Sequence, residues 1–126
     1  MSEKQITDFF VRYGAALGSG DLSAIASCYA TPALVVSDGR SLPVQDSADV
    51  EAAFSGSADT YEARGLVDAK PNIGGMEKIT DVLTLVTVGW DYLDTQGGVQ
   101  PGESYRYLVR LGDNPGICVV IPVLSA

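Results

Sequence analysis

The apolar positions of the first third of the chain recur with a helical period. Ile6, Phe9, Phe10, Tyr13, Ala16 and Leu17 follow the i, i+3, i+4, i+7 spacing that turns one stripe of a helix toward a core. Ser2 and Gln5 have the residue types of a capping box ahead of it, and Gly18 and Gly20 are expected to end it. Asp21 reads as the N-cap of a second helix, Leu22 to about Ala30, with Leu22, Ile25, Ala26 and Tyr29 on one face and Pro32 closing it. Ala33 to Val36 then reads as a short strand, Asp38-Gly39 as a turn, and Ser41 to Val44 as the returning partner. Asp46 or Ser47 caps a third helix that turns Val50, Ala53 and Phe54 inward.

From Arg64 onward the periodicity changes to that of strands. Leu66 to Ile79 is ambiguous, because Pro71, Gly74 and Gly75 interrupt it and suggest a bulge or bend. Asp81 to Leu93 is the clearest strand. Val82, Thr84, Val86, Val88, Trp90 and Tyr92 share one face, and Leu83, Leu85, Thr87, Gly89 and Asp91 the other. Gln96-Gly97-Gly98 and Pro101-Gly102 are expected to bracket a loop before a strand from Glu103 to Leu111. In that strand Tyr105, Tyr107, Val109 and Leu111 lie opposite Ser104, Arg106, Leu108 and Arg110. Asp113-Asn114-Pro115-Gly116 forms a turn into a last strand, Ile117 to Leu124, which is apolar on both faces. An antiparallel sheet with one wet face should alternate apolar with polar. This one reads as covered on both sides, by helices on one face and by a second subunit on the other, so a homodimer through the sheet is expected.

Composition narrows the function classes. The 126 residues suit one domain spanning 1–126, and the 46% of apolar residues can build one core. Sixteen acidic against eight basic side chains give a net charge of −8, which argues against nucleic acid and anionic membranes as partners. Cys28 and Cys118 form no CxxC pair and are expected as buried, reduced thiols. The start of the chain shows no apolar leader and Ile117 to Leu124 is too short to cross a bilayer, so a cytoplasmic location is the expectation. The absence of histidine removes Ser-His-Asp and Cys-His nucleophiles, histidine bases and most zinc or iron sites. With no Gly-rich phosphate loop and no DxDxDG-like loop, neither a cofactor nor a metal is expected.

The segment Arg12-Tyr13-Gly14-Ala15-Ala16-Leu17-Gly18-Ser19-Gly20-Asp21-Leu22-Ser23-Ala24-Ile25 resembles the opening of ketosteroid isomerases and polyketide-cyclase-like proteins. The order helix, helix, strand, strand, helix and four-strand meander is likewise similar to the nuclear-transport-factor-2-like superfamily. The resemblance implies an α+β fold in which helices pack on a curved antiparallel or mixed sheet, a cystatin-like cone around an apolar pocket. It also allows a residue-by-residue test. The isomerases use a helix tyrosine and a protonated strand aspartate as an oxyanion hole, with a second aspartate as base. Tyr13 matches the tyrosine, but the base position falls on Ser37, with Asp38 one residue late and so on the opposite strand face. The third position falls near Tyr105 or Arg106, where no carboxylate stands. The isomerase constellation is incomplete.

Each candidate has two meanings. Tyr13 is either a hydrogen-bond donor to a ligand or a core aromatic, and Asp38 either a general base raised by burial or turn chemistry. Arg106 is either a carboxylate clamp or a surface or dimer contact. Phe9, Tyr13, Tyr29, Phe54, Trp90, Tyr92, Tyr105 and Tyr107 are the candidate ligand-contacting residues, with Tyr13 and Asp38 the candidate catalytic pair. Three readings stay open: a binder of a small apolar, aromatic or polycyclic molecule, an acid–base enzyme on a polyketide- or steroid-like substrate, and a dimeric interaction module with a filled pocket.

Overall fold

The computed structural model describes residues 3–124, so the capping role expected of Ser2 lies outside the described residues. Helix α1 spans Glu3–Ser19 and buries the whole expected stripe. It ends on Gly20, whose φ of 69° lets its N–H reach the Leu17 carbonyl while that of Asp21 reaches Ala16. Gly18 does not end the helix. It stays inside α1, where any Cβ would collide with the backbone of Asp68, and Gly14 likewise meets the Ala69 carbonyl and the Trp90 ring. These two glycines let α1 lie almost in contact with a strand.

Helix α2, Leu22–Ser27, is capped by the Asp21 carboxylate, which accepts from the Ala24 N–H at 3.1 Å. It stops short of the expected Ala30, and Tyr29 opens strand β1, Tyr29–Val36, instead of finishing a helix. Pro32 does not close the helix either; it sits within β1. There the pairing with the last strand slips between Tyr29 and Leu34, where a residue without an N–H costs the ladder nothing. After the Asp38-Gly39 turn comes β2, Ser41–Val44, paired as expected. Helix α3, Ser47–Ala63, has Asp46 as its N-cap, accepting from Asp49 N–H at 2.9 Å, while the Asp49 carboxylate accepts in return from Gln45 N–H.

The meander is β3 (Leu66–Lys78), β4 (Leu83–Asp94), β5 (Val99–Arg110) and β6 (Gly116–Val123). The ambiguous stretch is one strand with a register slip between Ile73 and Gly75, so the glycines bend it without breaking it. Pro101-Gly102 belongs to β5, opposite a second slip between Gly89 and Asp91, and the connecting loop is correspondingly shorter than expected. The sheet order is β2-β1-β6-β5-β4-β3, with β1 and β6 parallel and the other neighbours antiparallel. This is a mixed, open sheet in an α+β cone.

Alternation along β4 is complete: Thr84, Val86, Val88, Trp90 and Tyr92 are buried, and the residues between them only half so. With Tyr107, Val109, Ile117 and Val120 they form the inner face against the helices. On the reverse face Leu83, Leu85, Leu108 and Val119 are partly exposed, and Ile121 more so. Both cysteines are buried and free. No described helix is long and apolar enough to cross a membrane.

Candidate functional site

Between α1, α3 and the inner face of the sheet lies a cavity of about 240 Å³. Its floor is aromatic because the inner faces of β4 and β5 carry Trp90, Tyr92, Tyr105 and Tyr107 at period two, while α1 delivers Tyr13 and α3 delivers Phe54 and Tyr61. Exposed Ser37, Arg40 and Ser57 line its open end.

Two hydrogen-bond networks hold the rings. At the buried end the Tyr13 and Tyr29 hydroxyls are 2.6 Å apart, and the Trp90 indole N–H donates to the Tyr107 hydroxyl at 2.9 Å. The Tyr13 ring stands edge-on to Tyr29, Trp90 and Tyr107 with centroids 5.9–6.0 Å apart, the spacing of favourable aromatic pairs. Toward the other side Tyr92 donates its hydroxyl hydrogen to Glu103 Oε2 at 2.6 Å. A phenol has one such hydrogen, so in the 2.8 Å contact between Tyr61 and Tyr92 the donor is Tyr61. The chain runs Tyr61 to Tyr92 to Glu103. The Arg64 guanidinium lies over the Tyr92 ring and donates to Gln100.

All six tyrosines of the chain take part in these networks or line the cavity, and all hold their protons more tightly than a free phenol. Burial is the main cause at each. Tyr105 is pushed up to about 12, and Tyr92 is raised further because its hydrogen bond to Glu103 needs the neutral phenol. At neutral pH the walls are therefore neutral rings whose hydroxyls donate. Among the described residues no carboxylate lines the cavity, and Arg40 is its one formal charge.

Of the residues expected from sequence, Tyr13, Phe54, Trp90, Tyr92, Tyr105 and Tyr107 come together around the cavity. Phe9 does not; it is buried further along α1, edge-on to Phe10 and under the Arg12 guanidinium. Tyr29 stands outside the lining, behind Tyr13 and Phe54, both of which it touches. Asp38 is exposed at the tip of the β1–β2 turn and outside the lining, whereas Ser37 and Arg40, which close the turn through the Ser37 N–H to Arg40 carbonyl bond, line the cavity. Arg106 is exposed on the reverse face. Tyr61 was within reach of the sequence: Val50, Ala53, Phe54, Ser57 and Tyr61 continue one helical stripe. So was Arg40, two residues before inward-facing Leu42.

An open six-stranded mixed sheet wrapped on a long N-terminal helix around an aromatic cavity defines a protein of the nuclear-transport-factor-2-like superfamily, with the cystatin-like cone fold. The chain matches the family model described as "NTF2-like protein (DUF6841)" over residues 2–122, and it belongs to that family. No curated protein matches it. Among solved structures it is similar to an NTF2-like protein of unknown function from Shewanella oneidensis, with a TM-score of 0.73 at 18% identity over 97% of this chain and 98% of that one. A cystatin-like domain from Nostoc punctiforme gives 0.74 at 15% identity, over 98% and 77% of the two chains. The β subunit of benzoate 1,2-dioxygenase from Burkholderia mallei gives 0.67 at 20%, over 99% and 91%. At these identities the likeness is one of fold.

Proposed function

We propose that this domain binds a small, flat, largely apolar molecule in its cone. The observation that carries this reading is the convergence of the only tryptophan and five of the six tyrosines on the walls of one cavity. Rings already held by one another need little reordering when a ligand enters, so binding loses little side-chain entropy. The volume of about 240 Å³ lies just under the range usual for drug-sized ligands, which favours one or two fused rings over a steroid-sized polycycle. Acid–base catalysis is the weaker reading: no carboxylate among the described residues lines the cavity, and Glu103 is reached only through Tyr92.

Isothermal titration calorimetry with 2-naphthol tests the proposal. Saturable binding with a negative heat-capacity change is expected, abolished by Ala53→Phe, which puts a ring into the cavity from α3. Absence of binding to the folded protein, or equal binding to the blocked variant, overturns it.

The partner we propose for the reverse sheet face is a second copy of the chain. Leu85, Leu108 and Val119 form an apolar row across β4, β5 and β6 there, with Glu77 at its β3 end and with Arg106 and Arg110 on either side of Leu108 along β5. A two-fold axis through such a face buries the apolar row of one copy against that of the next.

A further inference from the structure

Which ligand charge the cavity selects can be read from its unspent hydrogens. The Tyr13–Tyr29 contact uses one hydroxyl hydrogen and leaves the other without an acceptor. The Tyr107 oxygen accepts from Trp90, and its own hydrogen has no described acceptor. The Tyr105 hydroxyl has no hydrogen-bond partner among the described residues, although its side chain is half-buried in the lining. By contrast Tyr61 and Tyr92 have both spent their hydrogens in the chain that ends on Glu103, whose negative charge also acts on Tyr105, so Arg40 is the group that must hold a ligand's charge.

Arg40 adds the charge. Its position on the β1–β2 turn places it in the lining at the open end, beside Ser37 and across from Ser57. The two ion pairs among the described residues, Lys4–Asp8 and Lys78–Asp81, lie elsewhere, and among those residues no carboxylate comes within 4.0 Å of the Arg40 guanidinium. Most basic side chains of the described residues make no ion pair, so what sets Arg40 apart is its place, as the one charged side chain in the lining of an apolar cavity. The net charge of −8 repels anions at long range, but salt screens that field within about 8 Å, whereas a guanidinium–carboxylate contact is direct and charge-assisted.

We infer that the ligand is an organic acid: an aromatic or alicyclic body held between Trp90, Tyr107 and Phe54, with its carboxylate at the open end on the Arg40 guanidinium and within the donor surplus of Tyr105. This rests on the binding reading above and adds the ligand's charge. An amine or a polyol is the wrong class, because the cavity has no anionic partner for the first and too much apolar wall for the second.

The test compares 2-naphthoate with 2-naphthamide, which has the same rings and no charge, by calorimetry at neutral pH and physiological ionic strength, where the field of the net charge is screened. The wild-type protein is expected to bind the acid at least about tenfold more tightly than the amide. Arg40→Gln is expected to remove that preference and leave the amide's affinity within about twofold. Arg12→Gln changes the net charge equally but lies over Phe9, outside the cavity, and is expected to preserve the preference. Equal affinity of the two probes for the wild type, or a preference that survives Arg40→Gln or is lost equally in Arg12→Gln, overturns the inference while leaving the binding reading standing. If neither probe nor 2-naphthol binds, the binding reading itself falls and the inference with it.

Discussion

Trp90 and Tyr107 show how single polar atoms fix the aromatic wall. Both residues are only 2% exposed, and the indole N–H has the Tyr107 hydroxyl as its acceptor at 2.9 Å. Tyr107→Phe removes one oxygen and strands a buried donor, which costs about 1–3 kcal/mol. Urea unfolding should show that loss as a lower midpoint with an unchanged slope. Tyr105→Phe removes a hydroxyl that bonds to nothing described, and its stability should stay within about 0.5 kcal/mol of wild type in the same assay. Similar cost at the two positions would mean that the bonding pattern does not hold in solution. Phe10, wholly buried between Phe9 and Tyr107, ties this wall to the rest of the helix stripe.

At the scale of elements, glycines have opposite roles in the two long helices. Gly18 of α1 touches the backbone of β3, whereas Gly56 of α3 is exposed with open space around it. Gly18→Ala should therefore destabilise by about 1–3 kcal/mol or more through overpacking. Gly56→Ala should stabilise by about 0.5–1 kcal/mol, because alanine loses less backbone entropy in a helix. Thermal melts of the two variants check the pair of signs. The same contrast explains what could be read from residue order. The α1 stripe, the Asp21 and Asp46 caps and the β4 alternation follow from local periodicity and were legible. Tyr29 was misassigned because its apolar spacing from Ile25 fits a helix, while its strand pairing with β6 joins residues far apart in the chain. Pro101-Gly102 looked like loop chemistry because a proline is tolerated in a strand where the facing register slips, which no local pattern reveals. For the site, period two gave the strand aromatics, and the ring partners across elements required the fold.

For the whole molecule, the decisive question is what covers the reverse sheet face. Light scattering should give about twice the chain mass at micromolar concentration, and Leu108→Glu, which sets an acid in the middle of the apolar row, should return the monomer. A monomeric wild type would leave that face solvated and refute the dimer. A different consequence follows from the crowding of tyrosines and the single tryptophan around one cavity. Nearly all near-ultraviolet circular dichroism of this protein must arise there, since the asymmetric setting of those rings is local to the cone, while the far-ultraviolet signal arises from α1, α3 and the sheet. A state in which the cone loosens but the backbone stays folded would thus go dark in one spectral window and remain unchanged in the other.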